Sequence, residues 1–72
     1  MMTKMNEKQF DIIAKKLIKS ALQREAVYQS VMYNLSPSEA EVYAYGRVTN
    51  TVGRDAKRVQ AEYDFIQEVA IS

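Results

Sequence analysis

Apolar residues recur at helical spacing along the first third of the chain. From Asn6 onward they stand every three or four positions, which places them on one face of an α-helix. The set comprises Phe10, Ile13, Ala14, Leu17, Ile18, Ala21 and Leu22. Asn6 is suited to the N-cap, and Glu7 follows in the first turn, where the helix dipole favours an anion.

A second apolar set runs from Ala26 to Tyr33. The spacing leaves open whether one long helix covers both sets or two helices meet near Ser20. A single helix of that length is unusual for so small a domain, so we favour a break between Leu17 and Arg24.

The clearest local signal is the stretch from Leu35 to Glu39. Ser36 is suited to the N-cap, and Pro37 suits the first helical position, where its missing N–H costs nothing. Glu39 stands three residues after Ser36 and completes a capping box. Gly46 suits the left-handed end of this short helix. The inward face of the helix is left open between two stripes: Ala40, Tyr43 and Ala44, or Val42 and Tyr45.

A further apolar stripe predicts a last helix, capped by Thr49 or Asn50. Its members are Val48, Val52, Ala56, Val59, Tyr63, Ile66 and Ala70. Gly53 within it costs about 1 kcal/mol relative to alanine, which suggests a close approach there. The pattern therefore predicts an all-α fold of four to five helices in one domain spanning residues 1–72, with residues 1–5 flexible.

Composition narrows the function classes. The 72 residues are 47% apolar and 26% charged, as in an ordinary globular chain. The absence of cysteine and histidine removes disulfides, thiolate chemistry, the commonest general base and the commonest metal ligand. No apolar run approaches the ~18–20 residues of a membrane span. We therefore expect a cytoplasmic protein that is not an enzyme, without cofactor, metal site, membrane partner or small-molecule substrate.

Charges along the chain fall into blocks, although the net charge is only +1. Residues 1–24 and 46–59 are basic, whereas residues 25–45 and 60–72 are acidic. Solvated helix faces explain such blocks equally well, but the segregation also fits a surface for an anionic partner.

Residues 36–59 combine a short capped helix, a glycine turn and a basic helix, as in a helix-turn-helix. In that motif the second helix enters the major groove of DNA. Asn bonds adenine and Arg bonds guanine, so the candidate base-reading residues are Asn50, Thr51, Arg54 and Asp55. The candidate DNA-backbone contacts are Arg47, Thr49, Lys57, Arg58, Ser36 and Ser38. Asp55 fits less well, because it repels phosphate unless it accepts from cytosine or pairs with an arginine.

Residues 5–63 resemble the KorA (TrfB-type) family of plasmid repressors, with a looser likeness to PapB-type regulators. The resemblance rests on residues 6–10 (Asn-Glu-Lys-Gln-Phe), on 31–34 (Val-Met-Tyr-Asn) before Pro37, and on a short helix ending at Gly46. Residues 49–52 (Thr-Asn-Thr-Val) and 57–59 (Lys-Arg-Val) complete it. The resemblance implies a homodimeric repressor that binds a palindromic operator, with residues 49–58 against the DNA. Arg47 and Asp55 depart from the family pattern and leave the register of the last helix open by about one residue.

Residues 60–72 carry more apolar surface than one core-facing stripe requires. The resemblance assigns this stretch to a C-terminal dimerisation helix, with Tyr63, Phe65, Ile66 and Val69 as candidate interface residues. The sequence thus favours a sequence-specific repressor of double-stranded DNA that acts as a homodimer. The alternative is a small interaction module or inhibitor that docks on a host protein without binding DNA.

Overall fold

The computed structural model describes residues 5–71 as four α-helices with no strand among them. The helices are α1 (Glu7–Leu17), α2 (Ala21–Tyr33), α3 (Pro37–Tyr45) and α4 (Val52–Ile71). The predicted all-α fold is confirmed, and so is the break between the first two apolar sets.

Local capping explains where α1 and α3 begin. The Asn6 side chain accepts from the Gln9 N–H at 2.8 Å, and the Gln9 side chain accepts from the Asn6 N–H at 2.9 Å. The predicted box at α3 is present as well, since Ser36 Oγ accepts from the Glu39 N–H at 3.2 Å. These side chains satisfy backbone N–H groups that the first helical turn leaves unpaired.

At the break between α1 and α2, the side chain of Arg24 binds backbone carbonyl groups at the end of α1. Ile18 ends α1 in an extended conformation and turns its side chain into the core, and Ser20 caps α2. Arg24 donates to the carbonyl oxygens of Ile18 and Lys19 at 2.8 and 3.0 Å. The carbonyls at the end of α1 therefore find a charged donor, and Leu22 becomes exposed because it belongs to a new helix.

The core lies among all four helices. Its buried apolar members are Met5, Phe10, Ile13, Ala14, Ile18, Ala26, Val27, Ala40, Val52, Val59 and Tyr63. Helix α2 packs against α3 and α4, and α1 packs mainly against α4. The structure departs from the expected flexible start at Met5, whose side chain is buried. Residues 1–4 and 72 lie outside the described part of the chain.

Helix α3 turns neither predicted stripe inward. Ala40 and Glu41 are buried, Ala44 and Tyr45 pack partly against the core, and Val42 and Tyr43 are exposed. The inward face of α3 therefore contains a carboxylate, that of Glu41. Within residues 5–71, no helix has both the length and the apolar character needed to cross a membrane.

Candidate functional site

The buried carboxylate of Glu41 caps the last helix from the side. Its Oε1 accepts from the N–H groups of Thr49 and Asn50 at 2.8 and 2.9 Å. Its Oε2 accepts from the N–H groups of Thr51 and Val52, both at 2.8 Å. Glu41 of α3 therefore pairs with the amides of Thr51 and Val52, which the start of a helix would otherwise leave unpaired, and with two amides of the preceding turn.

This arrangement stabilises the charged form of Glu41. The N–H of Val52 makes the largest contribution, and together with the other three amides it outweighs burial. The bonds lower the pKa of Glu41 from 4.5 to about 2. The predicted cap, Thr49 or Asn50, is wrong, because α4 begins at Val52 and Thr51 therefore stands at the N-cap position, where its carbonyl oxygen accepts from the Asp55 N–H at 3.2 Å. A negative charge at the positive end of α4 also fits the helix dipole.

A second polar contact ties α4 to α2 through Gln23. The Gln23 amide nitrogen donates to Thr51 Oγ1 at 3.2 Å and to Asp55 Oδ2 at 2.9 Å. Its amide oxygen accepts from the Tyr45 hydroxyl at 2.5 Å. Gln23 is buried, and its polar atoms are paired on three sides, so the network fixes how the start of α4 sits against α2 and α3.

Asp55 does not face solvent. Only 5% of its surface is exposed, and it accepts from Gln23 while contacting Arg58 Nη1 at 3.3 Å and Arg54 Nε at 3.5 Å. Its assignment as a base-reading residue is therefore wrong. The carboxylate lies inward because α2 supplies a hydrogen-bond donor for it.

The turn between α3 and α4 uses two left-handed residues. Gly46 ends α3 at φ 75°, and Asn50 has φ 59°, a conformation that asparagine tolerates better than most residues. At Gly53 the expected close approach is mild, since an added Cβ would lie 3.6 Å from the ring of Pro37. That is an ordinary van der Waals distance.

The exposed side of the turn and of the first turns of α4 is basic. We call residues 46–58 the basic segment. Arg54, Lys57 and Arg58 stand at i, i+3 and i+4 and therefore share one face of α4. Arg54 has 71% of its side chain exposed, and Arg47 and Asn50 are exposed in the turn. Five of the predicted contact residues are thus exposed within the basic segment.

The other predicted contacts are more enclosed or already engaged. Thr49 and Thr51 are half-buried, and their hydroxyl oxygens lie 2.8 Å apart, with Thr51 also bonded to Gln23. Ser36 and Ser38 are exposed at the start of α3, where Ser36 caps the helix. Thr51 therefore points into the polar network and not outward.

Residues 62–70, here called the distal segment, continue α4 without a break. Tyr63 is only 2% exposed and belongs to the core of its own chain, so its assignment to a dimer interface is wrong. Phe65, Ile66 and Val69 are exposed, as an interface would require. Among the side chains that the structure describes, Tyr63 is the last member of the buried core along α4.

A groove lies between α1 and α2. Its volume is about 650 Å³, and it is lined by Glu7, Lys8, Phe10, Asp11, Ala14, Ala21, Arg24, Glu25 and Tyr28. Two of its charges are already used, since Asp11 pairs with Lys15 at 3.1 Å and Arg24 binds backbone carbonyls. The basic segment is the better candidate for a binding site, because its exposed charged side chains all have one sign.

The sequence analysis missed Glu41 and Gln23. Glu41 gives one signal in retrospect, since it lies beside Ala40 and one turn before Ala44 and Tyr45, which are all on the inward face. Gln23 lies among surface-type residues and gives none. Comparison of the chain with protein-family models, curated proteins and solved structures found no match.

Proposed function

We propose that this protein is a transcriptional repressor that binds double-stranded DNA as a homodimer, with α3, the turn and α4 acting as a helix-turn-helix. One observation carries the proposal: every exposed charged side chain of the basic segment is positive. Asp55, the single acidic residue among residues 46–58, is buried. Glu41, which approaches the segment from α3, is buried as well. The surface therefore presents cations to a polyanion without a competing carboxylate.

The state of the helix N-terminus specifies which groups do the binding. Phosphate often binds the free amides at a helix N-terminus. Here the Glu41 carboxylate occupies the amides of residues 49–52 and places a negative charge at the start of α4, so we assign the contacts to side chains. Asn50 and Arg54 are assigned to base edges, and Arg47, Lys57 and Arg58 to phosphates.

Asp55 also orients the two arginines. It meets Arg54 at Nε and Arg58 at Nη1, so each guanidinium has two further nitrogens for a DNA acceptor. An arginine held by a neighbouring carboxylate loses less conformational freedom on binding. Asp55 therefore supports DNA binding through its contacts with the two arginines, although its own charge is negative.

The proposed homodimer matches the geometry of duplex DNA. Two copies related by a two-fold axis would present two reading helices about 34 Å apart, which is one turn of the duplex. Such a dimer reads a palindrome and represses by covering a promoter, without catalysis.

Selection of bound sites from a random-duplex pool, followed by electrophoretic shift on the recovered sequence, tests the proposal. We expect a palindrome and an affinity that falls by about 10³ to 10⁵ between ~50 and ~200 mM salt for a dimer that neutralises six to ten phosphates. Lys57→Glu should abolish the shift, and Lys19→Glu, the same charge change in the α1–α2 connection, should retain it.

No salt-sensitive complex with any duplex would overturn the proposal. Capture of one stoichiometric host protein, unaffected by nuclease treatment and lost in Lys57→Glu, would assign the basic segment to protein docking instead. The two results are distinguishable because only the first experiment contains nucleic acid.

A further inference from the structure

Three lysines border an exposed isoleucine on α1. Ile12 is 62% exposed, and Lys8, Lys15 and Lys16 stand at i−4, i+3 and i+4 from it. Residues at these offsets are neighbours on a helix surface. We call these four residues the basic face of α1. None of these four residues belongs to the contacts assigned to DNA.

The distal segment likewise has an exposed apolar residue bordered by charged residues, but its charges are negative. Phe65 is 61% exposed, and Glu62 and Glu68 stand at i−3 and i+3 from it. Ile66 is exposed beside Phe65, and α4 carries no basic residue after Arg58. An apolar centre with an acidic border thus faces solvent at the end of α4.

The two surfaces are neighbours within one chain. Helix α1 packs against α4, and Lys16 Nζ lies 2.8 Å from Glu62 Oε2. This ion pair marks the line where the basic face meets the distal segment. A surface with a basic half beside an acidic half is complementary to itself after a two-fold rotation.

We infer that a second copy of this chain covers this surface, with the distal segment of each protomer packed on the basic face of α1 of the other. In this arrangement Phe65 and Ile66 of one protomer meet Ile12 of its partner, and glutamates face lysines on both sides. The inference deepens the homodimer of the proposed function, on which it rests, by naming both surfaces of the contact.

Charge complementarity favours a second copy over other occupants. A DNA backbone would be repelled by Glu62 and Glu68, and an acidic partner would leave the distal segment uncovered. Only an occupant with both signs in the right order matches the whole surface, and this chain carries that order itself. Twofold repetition also means that each homodimer contains the contact twice.

Sedimentation equilibrium of the protein without DNA tests the inference through two charge reversals. Glu68→Lys makes the distal segment more basic, and Lys8→Glu makes the basic face more acidic. Each reversal places a charge where the helix dipole favours it, so the fold of the monomer is retained. We expect the dimer Kd of each variant alone to rise by about tenfold or more, because like charges then meet at both contacts.

Mixing the two variants is the decisive step. In the mixed dimer one contact pairs the two reversed side chains, of Glu68→Lys and Lys8→Glu, and the other pairs the native residues, so we expect dimerisation to return close to the wild-type level. Glu25→Lys, the same charge change on α2, is the matched control and should leave the Kd unchanged. Circular dichroism confirms that each variant remains helical.

The outcomes separate this inference from the proposed function. If the wild-type protein dimerises and neither charge reversal changes the dimer Kd, the assigned surface is wrong. The assigned surface is also wrong if the mixture of the two variants stays monomeric. A monomer that still binds selected DNA as one copy overturns the surface and the homodimer but leaves DNA binding standing. A dimer that responds as expected yet shifts no duplex supports the surface and overturns the repressor.

Discussion

The two ends of α4 are parts of one helix but are held in different ways. At its start, Glu41 binds four amides and Gln23 binds Asp55, so residues of α2 and α3 reach the helix through charged or amide groups. At its end, the last core contact is Tyr63, after which apolar side chains lie in solvent. The start is therefore fixed within the monomer, whereas the end presents exposed apolar side chains that the inferred second copy would cover.

This difference fits the two tasks proposed for the chain. Directed hydrogen bonds set the angle of a helix more tightly than apolar contacts do, which suits the proposed contact with a rigid duplex. Apolar side chains with a charged border suit association between copies. The following predictions test whether the two ends are as different as the structure indicates.

The largest effect is expected from Glu41→Gln. An amide offers one acceptor oxygen in place of two, and its NH2 group then faces backbone donors. We expect the melting temperature to fall by about 10 °C, measured by circular dichroism. Glu68→Gln makes the same chemical change in the distal segment and should shift it by less than about 2 °C at concentrations that keep the protein monomeric. Equal shifts would show that the two ends are held alike.

Substitution of Arg54 should affect recognition more than folding. Arg54→Ala should weaken binding to the selected site by about 1–3 kcal/mol and relax the preference at one base pair. Lys57→Ala should weaken binding to selected and random duplex by similar factors, because a phosphate contact carries no sequence information. If Arg54→Ala also weakens both duplexes equally, Arg54 is a phosphate contact.

The stability of the fold should depend on acid through Glu41. The pKa of Glu41 in the folded chain, about 2, lies below its ordinary value of 4.5, so the unfolded chain binds more protons between these values. The stabilisation is therefore complete above about pH 5 and is lost as the pH falls towards 2. Urea unfolding at several pH values measures this slope, and Glu41→Gln should flatten it. An unchanged slope in the variant would assign the acid sensitivity to other carboxylates.

The smallest effect concerns the last core residue of α4. The Tyr63 hydroxyl is buried and has no hydrogen-bond partner among residues 5–71. Tyr63→Phe removes this unpaired group and should raise the free energy of unfolding by about 0.5–1 kcal/mol. The dimer Kd should not change, since Tyr63 lies inside its own chain. A loss of stability would mean that the hydroxyl has a partner in solution.

Several parts of the fold could be predicted because their causes are local. The Ser36–Glu39 box, the left-handed Gly46 and the Asn6 cap each depend on residues within a few positions of one another. The exposed face of Arg54, Lys57 and Arg58 follows from helical periodicity alone. Sequence reasoning therefore located the basic segment and most of its cations.

The errors share one physical origin. Asp55 and Tyr63 were placed outside, and Glu41 was overlooked, because each is buried by a partner distant in the sequence. Asp55 meets Gln23 of α2, and Glu41 meets amides eight to eleven residues later. Burial of a carboxylate depends on hydrogen-bond donors of this kind, and helical periodicity does not indicate where they lie.

The sequence by itself determined the helices, their caps and the sign of the charge along each stretch, since these depend on neighbours along the chain. Only the tertiary structure decided which carboxylates face inward. Burial of Asp55 leaves only cations among the exposed charged side chains of the basic segment. The tertiary structure also decided that Tyr63 belongs to the core. The reason is that the burial of a charge depends on donors that other helices bring to it, and folding alone brings them there.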